Sequence, residues 1–329
     1  MAISAAPAPL GDDGRTGESP GRSAAYAAAS PAHAAPSLPT GASPAADPPA
    51  AGPTPGAAPR RVAKTTRETV LWSCWWTPSL VSIRVTRDRA FRFTPGHYAR
   101  VAIPKPDRQT VLRPLSVASA PADPYLEFFC SLIPGGEFSG RLANLRVGDP
   151  IEVETARFGF LTVDSLEPGS DLWLLATGTG LAPFLAMLRD PGIWVAFDHL
   201  IVVHSVRRAA ELAYADELRR LADQSPGTAA RAALHYLPVV TREPGASSLS
   251  QRIPVLLAKG SLSGAAGVPV DPAHSRVMAC GNPAMTRELR ALLGERGFRT
   301  TRRGAPGQAA FEKYWQEDID STHGNGGTA

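Results

Sequence analysis

The rhythm of the chain changes near residue 165, and that change limits what it can fold into more than any other feature. Before it, short apolar runs are cut by Pro and Gly; after it, apolar runs alternate with stretches of helical spacing. In the first half, Val81-Ser82-Ile83-Arg84-Val85 alternates apolar and polar side chains, as a half-buried strand does. His97–Ile103, Val111–Val117, Leu126–Leu132 and Ile151–Glu154 repeat the pattern less cleanly. Between them stand Thr94-Pro95-Gly96, Pro104-Lys105-Pro106 and Ile133-Pro134-Gly135-Gly136, which read as turns. Strands this short and this closely spaced predict a small antiparallel barrel, with one short helix between Ser139 and Leu145. In the second half, the runs Leu172–Ala176, Leu200–His204, Leu234–Val240 and Val277–Ala279 alternate with helical segments. Those segments reach Leu188, then span Leu212–Leu221, Ile253–Ala258 and Met285–Leu293. Strands alternating with helices imply βαβ units and a parallel sheet. The predicted fold is mixed β and α/β: an antiparallel β-barrel, residues 61–165, followed by a parallel-sheet α/β domain, residues 166–315.

The ends are different material. About half of residues 1–60 are Ala or Pro, and only Ile3, Leu10, Tyr26 and Leu38 could serve a core. Such a segment buries too little apolar surface to offset its ordering entropy, so a disordered tail is expected. Residues 316–329 are polar and Gly-rich and read as a second flexible tail. Cys74, Cys130 and Cys280 lie far apart, with neither a disulfide framework nor metal-ligand spacing. A zinc site or a cysteine-ligated iron–sulfur cluster is therefore not expected, and no metal is assigned. No apolar run approaches ~18–20 residues, so no membrane span is expected. The start lacks a basic region before an apolar core, and Arg60-Arg61 is not followed by a hydrophobic stretch. A cytoplasmic protein is the default expectation.

In an open parallel sheet, ligands sit at the carboxyl ends of the strands, near the point where strand order reverses. The first such turn is Ala176-Thr177-Gly178-Thr179-Gly180-Leu181-Ala182-Pro183. Gly178 and Gly180 let a diphosphate approach the backbone, and the following helix offers free N–H groups. The next turns carry Arg207 and Arg242, with Arg252 soon after. Three guanidinium groups beside a dinucleotide fit a 2′-phosphate, because their forked donors match its oxygens; this favours NADP over NAD. Surface arginines in an Arg-rich chain are the plain alternative. The fourth turn, Cys280-Gly281-Asn282-Pro283, places a small soft side chain toward the same cleft, although a buried structural cysteine is the ordinary reading.

In the barrel half, Arg113-Pro114-Leu115-Ser116 puts Arg and Ser three apart on a strand. Gly135-Gly136-Glu137-Phe138-Ser139 then feeds a short helix, which is again anion-binding geometry. Two phosphate cradles, one per domain, suit two dinucleotides facing one another.

The set RPLSVAS, IPGGEFSGRL, ATGTGLAPF, HSVRRAAELAYADEL, VVTRE, QRIP, MACGNPAM and FEKYW resembles the bacterial ferredoxin (flavodoxin)–NADP reductases. The likeness runs from about Thr66 to Trp315. It implies an FAD-binding barrel and an NADP-binding α/β domain. By that resemblance Arg113 holds the FAD diphosphate, Leu115 takes the place of a flavin-stacking Tyr, and Ser116 lies beside the flavin N5. Gly136, Glu137, Phe138 and Ser139 would cradle the diphosphate through backbone N–H groups, and Trp315 would stack on part of the FAD. Thr177, Gly178 and Gly180 would take the NADP diphosphate, and Arg207, Arg242 and Arg252 its 2′-phosphate. Cys280 would sit near the nicotinamide. The departures are Leu115 itself and the fourteen residues beyond Trp315.

The implied chemistry is hydride exchange between NADPH and the flavin, and single-electron exchange with ferredoxin or flavodoxin. Between Arg60 and Arg113 stand twelve Lys or Arg against three Asp or Glu, a basic face for an acidic carrier or merely a solvated surface. No basic-plus-aromatic surface points to nucleic acid. A monomer is expected. Three alternatives stay open: a flavin or ferric reductase, the reductase component of an oxygenase system, and a non-catalytic NADP-binding sensor.

Overall fold

The computed structural model describes residues 64–104, 112–224, 226–228 and 231–313; the predicted tails, 1–60 and 316–329, lie outside the described residues. Six antiparallel strands come first: β1 (Thr65–Thr77), β2 (Leu80–Thr86), β3 (Tyr98–Ala102), β4 (Arg113–Ser116), β5 (Tyr125–Ser131) and β6 (Pro150–Phe158). Their order is β4-β3-β6-β1-β2-β5. Val117, just past β4, bridges Phe128 of β5, so the two edges meet and the sheet closes on itself. Val81, Ile83, Val85, Val101, Phe128 and Val153 fill the interior. Helix α1 (Glu137–Leu142) joins that core with Phe138 and Leu142.

The sequence did not announce β1, the longest strand. Its first half pairs with β6 and its second with β2. The register shifts between Val70 and Trp72 and again between Trp75 and Thr77. Each shift flips the inward face, so the period-2 pattern that marks a strand is erased over TVLWSCWWT.

The second sheet runs β12-β11-β7-β8-β10-β9. Its strands are β7 (Asp171–Thr177), β8 (His199–Val206), β9 (Pro226–Thr228), β10 (Arg231–Val240), β11 (Ser275–Gly281) and β12 (Ala309–Lys313). All neighbours are parallel except β9, which lies antiparallel to β10. Helices α2 (Ala182–Leu188), α3 (Ile193–Ala196) and α4 (Ala215–Asp223) contribute to one apolar cluster with Leu172, Leu174 and Val202. Helices α5 (Ile253–Ala258), α6 (Ser261–Ala266) and α7 (Pro283–Glu295) contribute to the other, with Trp173, Leu175 and Ile201. Successive residues of β7 thus feed opposite faces, each fully buried Leu or Phe contributing roughly 1.5–3 kcal/mol.

Leu80, Ala118, Phe129 and Leu161 of the first half belong to the same cluster as α2 and α4, so this cluster spans the barrel and the parallel sheet. From β7 the chain moves outward through β8 to β10, then returns to the other flank of β7 as β11. Strand order therefore reverses between β7 and β11, which fixes where a ligand site belongs. Among the described residues, no helix is long and apolar enough to cross a membrane.

Candidate functional site

The reversal point is built from backbone in contact with backbone. Thr177 ends β7, and its hydroxyl accepts the Asn282 N–H at 2.8 Å. Gly281 has φ +134°, and a β-carbon there would overlap the Thr177 hydroxyl. A β-carbon on Gly180 would overlap the Cys280 carbonyl. Gly178 differs: its φ is +53° and a β-carbon would meet nothing within 4 Å. Gly180 and Gly281 lock two strand ends together, whereas Gly178 leaves open space above the turn. Asn282 caps α7, its side-chain oxygen accepting from Ala284 (2.9 Å) and Met285 (3.2 Å).

His204, buried in β8, supports the Gly178 turn from beneath. Burial lowers its pKa to about 4, partly opposed by the hydrogen bond to the Gly178 carbonyl. The ring is therefore neutral near pH 7, and its Nε2–H donates to that carbonyl at 3.1 Å.

Past β8, the Glu211 carboxylate accepts the backbone N–H groups of Arg207 (2.8 Å) and Arg208 (3.1 Å). The Arg242 N–H donates to the Arg207 carbonyl at 2.8 Å. Arg207 and Arg242, 35 residues apart in sequence, thus stand side by side, both exposed. Arg252, also exposed, precedes α5 near the same end, but its guanidinium pairs with Glu288 of α7.

In the barrel, Ser116 is buried and lies opposite Tyr98. Arg113 is exposed and donates to the Leu112 carbonyl at 3.1 Å. Leu115 belongs to the barrel's interior cluster. Gly136 precedes α1 in an extended conformation, and the first N–H groups of a helix have no intrahelical acceptor. The Ser139 hydroxyl accepts the Ile133 N–H at 2.9 Å, Phe138 anchors the helix in the barrel core, and Glu137 lies 3.8 Å from Arg141. This turn makes no backbone overlap like that at Gly180: a β-carbon on Gly135 would meet nothing within 4 Å, and one on Gly136 would come 3.1 Å from the Ile133 carbonyl.

Between the two halves lies a cavity of about 780 Å³, lined by Tyr98, Gly159, Phe160, Arg290, Phe311 and Glu312 among others. Tyr98 stacks on Phe158, ring centres 5.5 Å apart. Glu312 is the residue that sequence reasoning missed. Burial raises its carboxyl to about 7, and Oε2 has no hydrogen-bond partner. Its neighbour across the β11–β12 ladder is Cys280. Cys280 is fully buried rather than exposed in a cleft, and burial, with the Glu312 charge adding, holds its thiol well above the usual range. Trp315 lies outside the described residues.

The basic stretch before Arg113 is less available than composition suggests. Arg84 pairs with Glu127, Arg100 with Glu154, and Arg87 donates to the carbonyls of Phe91, Pro121 and Asp123. Arg67, Arg89, Arg92 and Arg113 remain exposed.

Residues 174–291 match the oxidoreductase NAD-binding domain family. The chain is 40% identical over 251 residues to ferredoxin–NADP reductase A of Sorangium cellulosum, covering 75% of this chain and 89% of that protein. It is 36% identical over 241 residues to the flavodoxin/ferredoxin–NADP reductase of Escherichia coli, covering 73% and 94%. Among solved structures, the ferredoxin NADP+ reductase from Neisseria gonorrhoeae with bound FAD and NADP superposes with a TM-score of 0.72 at 34% identity. That match covers 77% of this chain and all of the other.

Proposed function

The chain belongs to the ferredoxin–NADP reductase family, and on that premise we propose that it is an FAD-dependent oxidoreductase exchanging electrons between NADPH and a one-electron carrier, ferredoxin or flavodoxin. The observation that carries the reading is the pair of anion cradles on the two sheets, with Ser116, Cys280 and Glu312 as polar groups in the region between.

The residues fit both cofactors. Gly178 offers an open turn at a strand end, and the adjacent exposed arginines 207 and 242 present forked donors suited to a 2′-phosphate. Arg113 and the N–H groups at the start of α1 form a second donor set, suited to the FAD diphosphate together with Gly136, Glu137, Phe138 and Ser139. Bound FAD supplies the exchange between a two-electron hydride and single electrons. The protein's part is to bind, orient and hold protons. Thr177, Gly178 and Gly180 shape the NADP diphosphate turn, and Arg252 adds a weaker third cation. Ser116 would offer its hydroxyl to the flavin ring, and Cys280, fully buried beside Glu312, would line the site from behind rather than face the nicotinamide directly. Glu312, with its pKa near neutrality, can hold a proton beside them. Leu115, which packs into the barrel's interior cluster, offers the flavin no aromatic face. In this reading residues 61–165 bind FAD, residues 166–315 bind NADP, and the working form is a cytoplasmic monomer.

The test is carrier reduction. Purified FAD-loaded protein is mixed with NADPH and with ferredoxin, flavodoxin, free flavin or ferric citrate in turn. Faster turnover with either protein carrier supports the reading; turnover with free flavin or ferric citrate alone contradicts it.

A further inference from the structure

A buried polar chain that neither cofactor cradle uses ties the two halves together at Tyr214. This is the only non-glycine residue with positive φ among the described residues, at +61°. Side chains with a β-carbon rarely adopt that conformation, so the surroundings must enforce it. The sequence spacing had predicted a helix from Leu212, and this turn is why α4 begins only at Ala215.

The enforcement comes from the barrel. The Tyr214 hydroxyl donates to Glu127 on β5 at 2.8 Å and contacts the Ser82 hydroxyl on β2 at 2.5 Å. Ser82 also accepts the Trp76 indole N–H at 2.8 Å. One proton arrangement satisfies the whole chain: Trp76 donates to Ser82, Ser82 to Tyr214, and Tyr214 to Glu127. Glu127 is fully buried and faces Arg84 (2.7 Å) and Arg189 (3.2 Å); Arg189 continues to Glu217 on α4 (2.9 Å) and to the Ala118 carbonyl (2.8 Å). The Tyr214 ring packs at 4.8 Å from Trp76 and edge-on at 5.3 Å from Phe129.

Three residues before Tyr214 is Glu211, whose carboxylate holds the backbone of Arg207 and Arg208. The turn that presents Arg207 is therefore suspended between β8 and an anchor bonded to the barrel. We propose that Tyr214 is a positioning residue for NADP selectivity, the barrel setting, through Tyr214 and Glu211, the place of the Arg207 turn. This inference rests on the assignment of Arg207 to the 2′-phosphate. It adds that discrimination between NADP and NAD depends on a hydrogen bond in a different part of the molecule from the arginines.

The test is calorimetric binding of NADP+ and NAD+ to the FAD-loaded full chain, with a thermal melt of each variant. Tyr214→Phe keeps the ring and removes the anchor bond. NADP+ is expected to bind about three- to tenfold more weakly and NAD+ to change less than about twofold. Ser82→Ala, which leaves Tyr214 in place, should shift the ratio in the same direction by less. Arg207→Ala should weaken NADP+ about tenfold, and adding Tyr214→Phe to it should change nothing further. A lowered melting temperature with an unaltered NADP+/NAD+ ratio in both Tyr214→Phe and Ser82→Ala overturns the proposal. Additivity of Tyr214→Phe and Arg207→Ala also overturns it. If Arg207→Ala alone leaves NADP+ binding unchanged, the 2′-phosphate assignment itself falls, and this inference with it.

Discussion

The two cradles are made differently. In the α/β half, the turn after β7 is interlocked with the end of β11: Thr177 holds Asn282, Gly180 lies on Cys280, and His204 supports Gly178 from below. In the barrel half, the turn before α1 is held mainly by Ser139 and by Phe138, and Arg113 stands in the open. One cradle is therefore part of the fold's own packing, and the other is a surface feature of it. Substitutions in the first should damage folding, whereas loss of the exposed Arg113 in the second should damage cofactor retention alone.

The sharpest way to break this contrast is a pair of glycine substitutions. Gly180→Ala drives a methyl into a backbone carbonyl that cannot swing aside, and is expected to cost about 3 kcal/mol of stability. Gly136→Ala should cost less, about 1 kcal/mol, since its φ of −72° suits any residue and a β-carbon would lie 3.1 Å from the Ile133 carbonyl, a tight contact rather than an overlap. Urea midpoints of the two variants measure the difference; equal losses would erase the distinction.

Next in size is Arg113→Ala. FAD affinity should fall roughly tenfold to a hundredfold, the worth of hydrogen bonds to a charged group, while the apoprotein melts within about 0.5 kcal/mol of the parent. Fluorescence of released flavin and a melt of the apoprotein report the two quantities. A large loss of apoprotein stability would make the barrel cradle as structural as the other.

Glu312 lies where the halves meet, so it tests the boundary. Its folded pKa, raised by burial to about 7 from 4.5, means the native state binds the extra proton between those values. Stability contributed by that proton is present at low pH and is lost as pH rises toward about 7. Glu312→Gln should therefore exceed the parent in stability by about 1–2 kcal/mol at pH 8, after allowance for partial exposure, and match it near pH 4.5. Melts across that range check the sign.

The smallest effect separates the three arginines. Arg252 is already paired with Glu288, so Arg252→Ala should weaken NADP+ only about two- to threefold, against about tenfold for Arg207→Ala. Calorimetry with NADP+ distinguishes them, and an equal loss would mean that the Glu288 pair does not hold Arg252 back.

Local pattern carried much of this architecture. β7, β8 and β11 are buried on both faces, so their centres are apolar runs, and the turns after them could be read directly. Where neighbours from elsewhere in the chain decide the outcome, sequence was mute. Nothing in Gly178-Thr179-Gly180 distinguishes the open glycine from the locked one, because the partner strand end lies about a hundred residues on. The long β1 was concealed by its register shifts, and the start of α4 by a left-handed tyrosine held from the barrel. Glu312 carried a faint signal, an acid at the end of the apolar AAF. Only burial beside Cys280 and Tyr98 gives it chemical meaning.

The most direct test of the whole account is an anaerobic visible spectrum of the FAD-loaded protein, titrated separately with NADPH and NADH. The account predicts a bound flavin spectrum that bleaches with NADPH at far lower concentration than with NADH. Equal bleaching by both would contradict the arginine assignment, and a protein that binds no FAD would contradict the reductase reading itself.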